Sequence, residues 1–265
     1  MKNNIVEGYD GTRLIYSEKY NPSSQVGILL LHGLAEHKGR YDDFINRLIK
    51  FNFSVFAIDL RGHGESLGRR GDITDFSIYQ SDVHCLVCKI KKNYPHLKLA
   101  ILGHSLGGLI ATAYVSTHDI VDFLILSNPL IVSPKRTIIF RFLPYKMLGF
   151  IKVKKRYSES LEMLEYSYAD PLATNYFTIR LLGVIFHQGI NYVNASLSNV
   201  TLPTLLMTGE LDPLISSASL QKVLDRFGSK DKQMRIYKNV KHRLFQSKYK
   251  EAITEELVDW LNERL

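Results

Sequence analysis

Short apolar runs alternate with longer amphipathic segments along most of the chain. Six runs have the length and composition of strands, at 26–31, 54–58, 99–102, 123–127, 204–208 and 233–238, the last with alternating apolar and polar residues. Five segments have helical periodicity, at 41–52, 76–94, 106–117, 216–227 and 249–265. Two short segments, at 6–7 and 14–20, flank Asp10-Gly11, which is a hairpin signal. This alternation predicts an α/β fold with a mainly parallel central sheet flanked by helices, edged by an antiparallel pair.

The alternation stops between its two halves, at residues 129–197. The first part of this stretch, 137–151, is rich in apolar and aromatic residues and fits a helix packed on the core. No strand-helix repeat resumes until the apolar run at 204–208. We therefore predict a helical cap inserted at 129–197, between two core segments at 1–128 and 198–265.

A serine flanked by glycines follows the strand predicted at 99–102. The sequence there is Gly103-His104-Ser105-Leu106-Gly107-Gly108, and a predicted helix comes directly after it. A strand, a tight turn with serine and then a helix are the context of a nucleophile elbow. The turn strains the backbone of the serine, and side chains two residues before or after it would clash. We therefore predict that Ser105 is a nucleophile.

A serine hydroxyl needs a base to take its proton and an acid to orient that base. Of the three histidines after Ser105, only His242 follows a predicted strand through a short loop. Asp212 lies in the loop after the strand at 204–208, which gives the chain order Ser, Asp, His typical of this elbow. We predict His242 as the base and Asp212 as the acid. Glu210, in the same loop, is the alternative acid, and a helix N-cap is the structural alternative for Asp212.

Two backbone amides must stabilise the negative oxygen that forms when the serine attacks. Leu106 follows the nucleophile and is expected to supply the first amide. The strand at 26–31 ends in His32-Gly33-Leu34, and Leu34 is expected to supply the second. His32 is expected to have a structural role, because the base is already assigned.

Further segments carry a family resemblance, at 32–41, 59–66, 94–95 and 209–212. Together with the elbow they resemble the monoacylglycerol lipase and lysophospholipase group of α/β-hydrolases, over nearly the whole chain outside the middle segment. The resemblance implies an α/β-hydrolase fold and a triad of Ser105, Asp212 and His242. It also implies a serine ester hydrolase that needs no cofactor or metal, with a small lipid ester as substrate, in first place a monoacylglycerol.

By the same resemblance, Glu36 and Arg40 would line the polar end of the pocket near the headgroup of the substrate. A surface ion pair is the alternative, and it would contribute little. Phe245 and Gln246 follow the base where relatives often carry a further polar or charged residue. This departure leaves the headgroup preference open.

Three other functions compete with the monoacylglycerol lipase prediction. The first is another ester specificity, such as a lysophospholipase, carboxylesterase or thioesterase. The second is a serine aminopeptidase, which would need carboxylates in the cap to bind the substrate amine, and Glu162, Glu165 and Asp170 are available there. The third is a binding protein without catalysis, which the intact triad disfavours.

Charge and composition bear on location and partners. The 265 residues are 45% hydrophobic and carry a net charge of +8. The apolar part of the cap is followed by Lys152, Lys154, Lys155 and Arg156, so we expect peripheral contact between the cap and a membrane or lipid surface. Nucleic acid is not expected as a partner, because no binding motif accompanies the charge. Without a signal segment or an apolar run of about 18 residues, the expected location is cytoplasmic.

Cys85 and Cys88 have the C-x-x-C spacing of redox and zinc sites. They fall within the predicted helix at 76–94, where positions three apart share one face. There is no second cysteine pair to complete a zinc site. We therefore expect a packed helix face at this position.

Overall fold

The computed structural model describes residues 2–133, 137, 139–140, 142–154 and 170–265. In this part of the chain one sheet contains β1 (Lys2–Glu7), β2 (Arg13–Lys19), β3 (Val26–Leu31), β4 (Ser54–Ile58), β5 (Lys98–His104), β6 (Phe123–Ser127), β9 (Thr204–Gly209) and β10 (Lys232–Tyr237). The order across the sheet is β1-β2-β4-β3-β5-β6-β9-β10. β1 and β2 pair antiparallel, β2 pairs antiparallel with β4, and the other pairs are parallel. The mainly parallel sheet and its antiparallel edge are therefore as predicted.

Helices cover both faces of this sheet. They are α1 (Asp42–Lys50), α2 (Ser77–Asn93), α3 (Leu106–Val115), α4 (Ile179–Gly183), α5 (Ile190–Ser196), α6 (Ser217–Leu224) and α7 (Lys250–Asn262). The helices predicted at 216–227 and 249–265 differ most in length, because α6 and α7 are each four residues shorter than expected. The predicted helices are otherwise present with small shifts of their ends.

The continuous apolar strands are explained by burial on two sides. In β3, Ile28 and Leu30 belong to one apolar cluster, which includes side chains of α1 and α7. Leu29 and Leu31 point to the opposite face and belong to a second cluster, which includes side chains of α2 and α3. Successive side chains of a strand alternate between faces, so a strand covered on both sides is apolar throughout.

Between β6 and β9 the described residues contain more than helices. β7 (Lys152–Lys154) and β8 (Tyr176–Thr178) form a two-stranded antiparallel ribbon, and a π-helical stretch at Val184–Gly189 joins α4 to α5. The helix expected at 137–151 does not form over residues 142–154, where Pro144 and Gly149 oppose helix and a single 3-10 turn occurs at Tyr145–Met147. The division into core and cap stays a prediction.

The helical segment between β8 and β9 packs against the sheet and its helices. Leu181, Val184, Ile185 and Val193 are fully buried in the same apolar cluster as α2 and α3. Residues 155–169 lie outside the described residues, and with them Lys155, Arg156, Glu162 and Glu165. In the part of the chain that is described, no helix combines the length and the apolar character needed to cross a membrane.

Candidate active site

Ser105 stands at the tight turn between β5 and α3. Its backbone has φ +51° and ψ −113°, a conformation that residues other than glycine rarely adopt. The Ser105 amide donates a hydrogen bond to the Ser127 carbonyl at 3.0 Å. A Cβ added to Gly107 would lie 2.1 Å from the Leu31 carbonyl oxygen. The turn therefore requires glycine at this position, as the elbow pattern predicts.

The loops after β9 and β10 bring the predicted acid and base into contact. His242 Nδ1 lies 2.7 Å from Asp212 Oδ2, and the Asp212 side chain is fully buried. Asp212 Oδ1 accepts the amide of Leu214 at 2.8 Å, so one carboxylate holds both its own turn and the imidazole. The alternative acid, Glu210, accepts the amide of Asn239 instead. The geometry therefore selects Asp212 over Glu210 as the partner of His242.

The ring of His104, at the elbow, contacts the ring of His242. The His104 and His242 ring centroids are 4.8 Å apart, and His104 directly precedes Ser105. His118 instead stacks on Tyr114 at the far end of α3. His187 lies in the π-helical stretch and contacts Tyr145.

Asn128 connects the end of β9 to the loop after β10. The sequence analysis did not identify this residue. Its Oδ1 accepts the Thr208 hydroxyl at 2.7 Å and the Gly209 amide at 3.1 Å, and its Nδ2 donates to the His242 carbonyl at 2.6 Å. Asn128 is buried at φ +43°. An asparagine directly after a buried strand, before Pro129, is the sequence signal that could have drawn attention to it.

The two predicted oxyanion donors, Leu34 and Leu106, belong to segments that lie next to Ser105. Leu106 is the first residue of α3, where a helix leaves its amides without partners inside the helix. Leu34 lies in the turn from Gly33 to Glu36, which a hydrogen bond from the Glu36 amide to the Gly33 carbonyl closes at 3.3 Å. A Cβ on Gly33 would be 3.3 Å from the Ser105 Cβ, so this turn lies against the nucleophile. The roles of both amides stay predictions.

His32 connects the segment after β3 to the segment after β4. Its Nδ1 donates to the Gly33 carbonyl at 2.7 Å, and its Nε2 accepts the Leu60 amide at 3.0 Å. Burial lowers the pKa of His32, which is consistent with a neutral ring that uses both nitrogens. The structural role expected for His32 fits these contacts.

Glu36 and Arg40 are not a surface ion pair, so that alternative is wrong. Their side chains are 5% and 4% exposed. Glu36 contacts Gly33, Tyr41 and Arg243, whereas Arg40 Nε contacts Asp170 Oδ2 at 3.0 Å. Each charge is paired with a different residue. A contact of Glu36 or Arg40 with a substrate headgroup stays a prediction.

Asp170 connects the segment before β8 to the residues that follow β3. Its Oδ2 contacts both Arg40 Nε and His37 Nε2, the latter at 2.8 Å. Although burial acts in the opposite direction, these hydrogen bonds hold the pKa of Asp170 below its usual value. The carboxylate is therefore ionised and already has a cationic partner.

The C-x-x-C pair lies on α2, away from the elbow loops. Cys85 packs against the apolar cluster, whereas Cys88 is exposed, with its Sγ 3.4 Å from His84 Nε2. The packed face expected for both residues therefore applies to Cys85 alone. No group of three or more His, Cys, Asp or Glu side chains is arranged to hold a metal ion in the described ranges.

Comparison with known proteins finds a family model that matches most of the chain. The family model described as serine aminopeptidase, S33, matches residues 22–248. Monoglyceride lipase of Rattus norvegicus is 28% identical over 255 residues, covering 90% of this chain and 82% of that protein. Monoacylglycerol lipase of Mycolicibacterium smegmatis is 27% identical over 266 residues, covering 96% and 94% of the two chains.

The fold also matches solved structures. Monoacylglycerol lipase of Paleococcus ferrophilus superposes with a TM-score of 0.82 at 23% identity, covering 95% of this chain and 99% of that one. The predicted α/β-hydrolase fold and the family resemblance are confirmed.

Proposed function

Because the chain belongs to the hydrolase family described as serine aminopeptidase, S33, we propose that Ser105, Asp212 and His242 form its catalytic triad. The chain is a serine ester hydrolase. The observation that best supports the triad is the hydrogen bond between His242 and Asp212, beside a serine held at positive φ.

The mechanism follows from the roles of these three side chains. His242 takes the proton of the Ser105 hydroxyl as the serine oxygen attacks the ester carbonyl. Asp212 holds the ring through Nδ1–H and stabilises the imidazolium that forms. The Leu34 and Leu106 amides stabilise the oxyanion.

Proton transfer then completes the turnover. His242 gives its proton to the departing alcohol, which leaves the acyl group on Ser105. A water molecule, deprotonated by His242, attacks this acyl-enzyme and releases the fatty acid.

A monoacylglycerol is the proposed substrate, with glycerol and a fatty acid as products. Relatives that cover most of this chain are monoglyceride and monoacylglycerol lipases, which supports a lipid ester with a small alcohol. The apolar side chains of the insertion support a long acyl chain.

A serine aminopeptidase is the second candidate, because the matching family model carries that description. Such an enzyme needs a carboxylate free to bind the substrate ammonium. Asp170 is already paired with Arg40 and His37, which disfavours it in this role. We therefore place ester hydrolysis first.

A matched substrate panel tests this proposal. It contains monoacylglycerols of short, medium and long chain, a lysophospholipid, and an amino-acyl amide. We expect the wild type to prefer a monoacylglycerol, Ser105→Ala to be inactive, and the exposed variant Ser198→Ala to match the wild type. Preference for the amide would favour the aminopeptidase, and preference for the lysophospholipid would change the headgroup.

We also propose that the insertion contacts a lipid surface through an apolar patch, defined as Ile139, Phe142, Met147, Phe150 and Ile151. Phe142, Met147 and Phe150 are 80%, 77% and 72% exposed. Large apolar side chains exposed together mark an interaction surface. Lys152 and Lys154 follow and are exposed too, which adds attraction to anionic lipid.

Sedimentation with phosphatidylglycerol vesicles tests the patch. The double variant Phe142→Ser/Phe150→Ser should bind the vesicles less well while hydrolysing a water-soluble ester at the wild-type rate. Phe51→Ser removes an exposed phenylalanine from the end of α1 and should leave vesicle binding unchanged. Equal binding by the double variant and the wild type would contradict the proposal.

A further inference from the structure

Arg243 directly follows the proposed base, His242, and contacts Glu36 in the turn after β3. Arg243 NH2 lies 3.2 Å from Glu36 Oε1, and the arginine side chain is 15% exposed. The pair joins the loop that carries His242 to the turn that carries Leu34. Neither the elbow pattern nor the triad requires an arginine here.

The other oxygen of Glu36 braces that turn. Glu36 Oε2 accepts the Gly33 amide at 3.1 Å and the Tyr41 hydroxyl at 2.7 Å. The turn also contains Ala35 at φ +69°, in the left-handed region that non-glycine residues rarely adopt. A strained backbone persists only where its surroundings hold it, and the Glu36 carboxylate is part of that support.

The bracing depends on the charge of Glu36. Burial alone would raise the pKa of this carboxyl, but Arg243 is the strongest of the groups that together hold it well below its usual value. An ionised carboxylate accepts shorter and stronger hydrogen bonds than a neutral one. The arginine charge therefore strengthens the contact between Glu36 and the Gly33 amide.

We propose that Arg243 is a positioning residue for the oxyanion turn and acts through Glu36. The Gly33 amide donates to Glu36 Oε2, so the carboxylate fixes the residue before Leu34 in a turn that lies against Ser105. Loss of the arginine loosens this turn, so the transition state loses stabilisation while the bound ground state is little affected. The inference rests on the proposed function, because it assumes that Leu34 stabilises an oxyanion.

Other contacts keep the two loops together when the arginine is replaced. Phe245 stacks on Phe44 with 3.9 Å between ring centroids, and Gln246 Nε2 donates to the Arg40 carbonyl at 3.3 Å. Arg243→Met should therefore fold, and its effect should be confined to the oxyanion turn.

A double-mutant cycle on a water-soluble ester tests the proposal. The variants are Arg243→Met, Glu36→Gln and the two combined, with thermal unfolding of each as a check on folding. We expect Arg243→Met to lower kcat about 10-fold, because small displacements of catalytic groups are costly, and to change KM less than about twofold. In the Glu36→Gln background the same substitution should cause no further loss.

Three additional measurements test the positioning role of Arg243. The affinity for a trifluoromethyl ketone, which forms an oxyanion on the serine, should fall in parallel with kcat. Arg243→Lys should recover part of kcat because it keeps the charge. Arg235→Met, which removes an arginine paired with Glu256 on the far side of β10, should leave kcat unchanged.

The outcomes separate this proposal from the proposed function. Multiplying losses in the combined variant, an effect on KM alone, or wild-type kcat in Arg243→Met would each overturn the positioning role. Should Arg243→Met fail to fold, Arg243→Lys alone and on the Glu36→Gln background gives the same comparison. A Ser105→Ala enzyme that keeps its activity would instead remove the proposed function, whatever the Arg243 variants do.

Discussion

The Asp212 carboxylate divides its two oxygens between the base and its own loop. Oδ2 lies 2.7 Å from His242 Nδ1, and Oδ1 accepts the Leu214 amide. Because the loop amides fix the carboxylate, the imidazole is held in the tautomer with its proton on Nδ1, which leaves Nε2 free for the proposed role of accepting the serine proton.

Replacement of Asp212 by asparagine should therefore leave the fold intact and abolish most of the activity. An amide that turns its NH₂ towards His242 favours the wrong tautomer, so we expect kcat to fall by about 10⁴. Steady-state hydrolysis of a soluble ester measures this. Glu210→Gln, in the same loop, is the control and should keep kcat within about threefold, since Glu210 contacts Asn239 instead. Comparable losses in both variants would contradict the assignment of the acid.

Asn128→Ala should destabilise the protein and slow the reaction. The substitution leaves the buried Gly209 amide without its acceptor and frees the His242 carbonyl. We expect a loss of about 2 kcal/mol in the free energy of unfolding, measured with urea. Asn239→Ala also places alanine at positive φ, but on the surface, and so reports the backbone cost alone. If both variants lose the same stability, the contacts of Asn128 contribute nothing.

Gly107→Ala should prevent correct folding of the elbow. The new Cβ would clash with two carbonyl oxygens, of Leu31 at 2.1 Å and of His32 at 2.8 Å, and because both belong to the backbone the chain itself would have to shift. We expect a loss of more than about 4 kcal/mol, or no folded protein. Gly11→Ala is the matched comparison, because its Cβ would meet open space although φ is +79°. A Gly107→Ala protein as stable as Gly11→Ala would be inconsistent with the described turn.

The unfolding free energy should fall with acid between pH 6.5 and about 4. Burial lowers the pKa of His104 from 6.5 to about 4. In this window the unfolded chain binds the proton and the folded chain does not, so stability is present above pH 6.5 and is lost as pH falls. The expected slope from one such histidine is about 1.4 kcal/mol per pH unit.

Urea unfolding at a series of pH values measures that slope. His104→Gln should flatten the curve by about one proton, whereas replacement of the exposed His96 by glutamine should not. A curve of equal steepness for the His104 variant would show that other groups cause the acid loss.

The sequence predicts those parts of the site that are local or follow chain order. The elbow at Ser105 is readable because its strand, glycines and helix are contiguous. Asp212 and His242 are readable because each follows a predicted strand, in the expected order along the chain. The buried strands are predictable because burial on two faces gives a continuous apolar pattern. The amphipathic helices are predictable from the period of their apolar positions.

Contacts between distant segments were not predictable. Asn128 and the His242 carbonyl are separated by 114 positions, and no spacing rule connects them. The same holds for Arg243 and Glu36. The ribbon of β7 and β8 was missed for another reason, because strands of three residues are too short to show a period.

The most direct test of Ser105 as the nucleophile of a monoacylglycerol lipase compares the wild type with Ser105→Ala. Glycerol release from a long-chain monoacylglycerol is measured for both, and the intact mass of each protein is measured after treatment with a fluorophosphonate. We expect the wild type to release glycerol rapidly and Ser105→Ala to release none. We also expect one phosphonyl group to be added to the wild type alone. Glycerol release that persists in Ser105→Ala, or a wild type that neither reacts with the probe nor releases glycerol, would contradict this assignment.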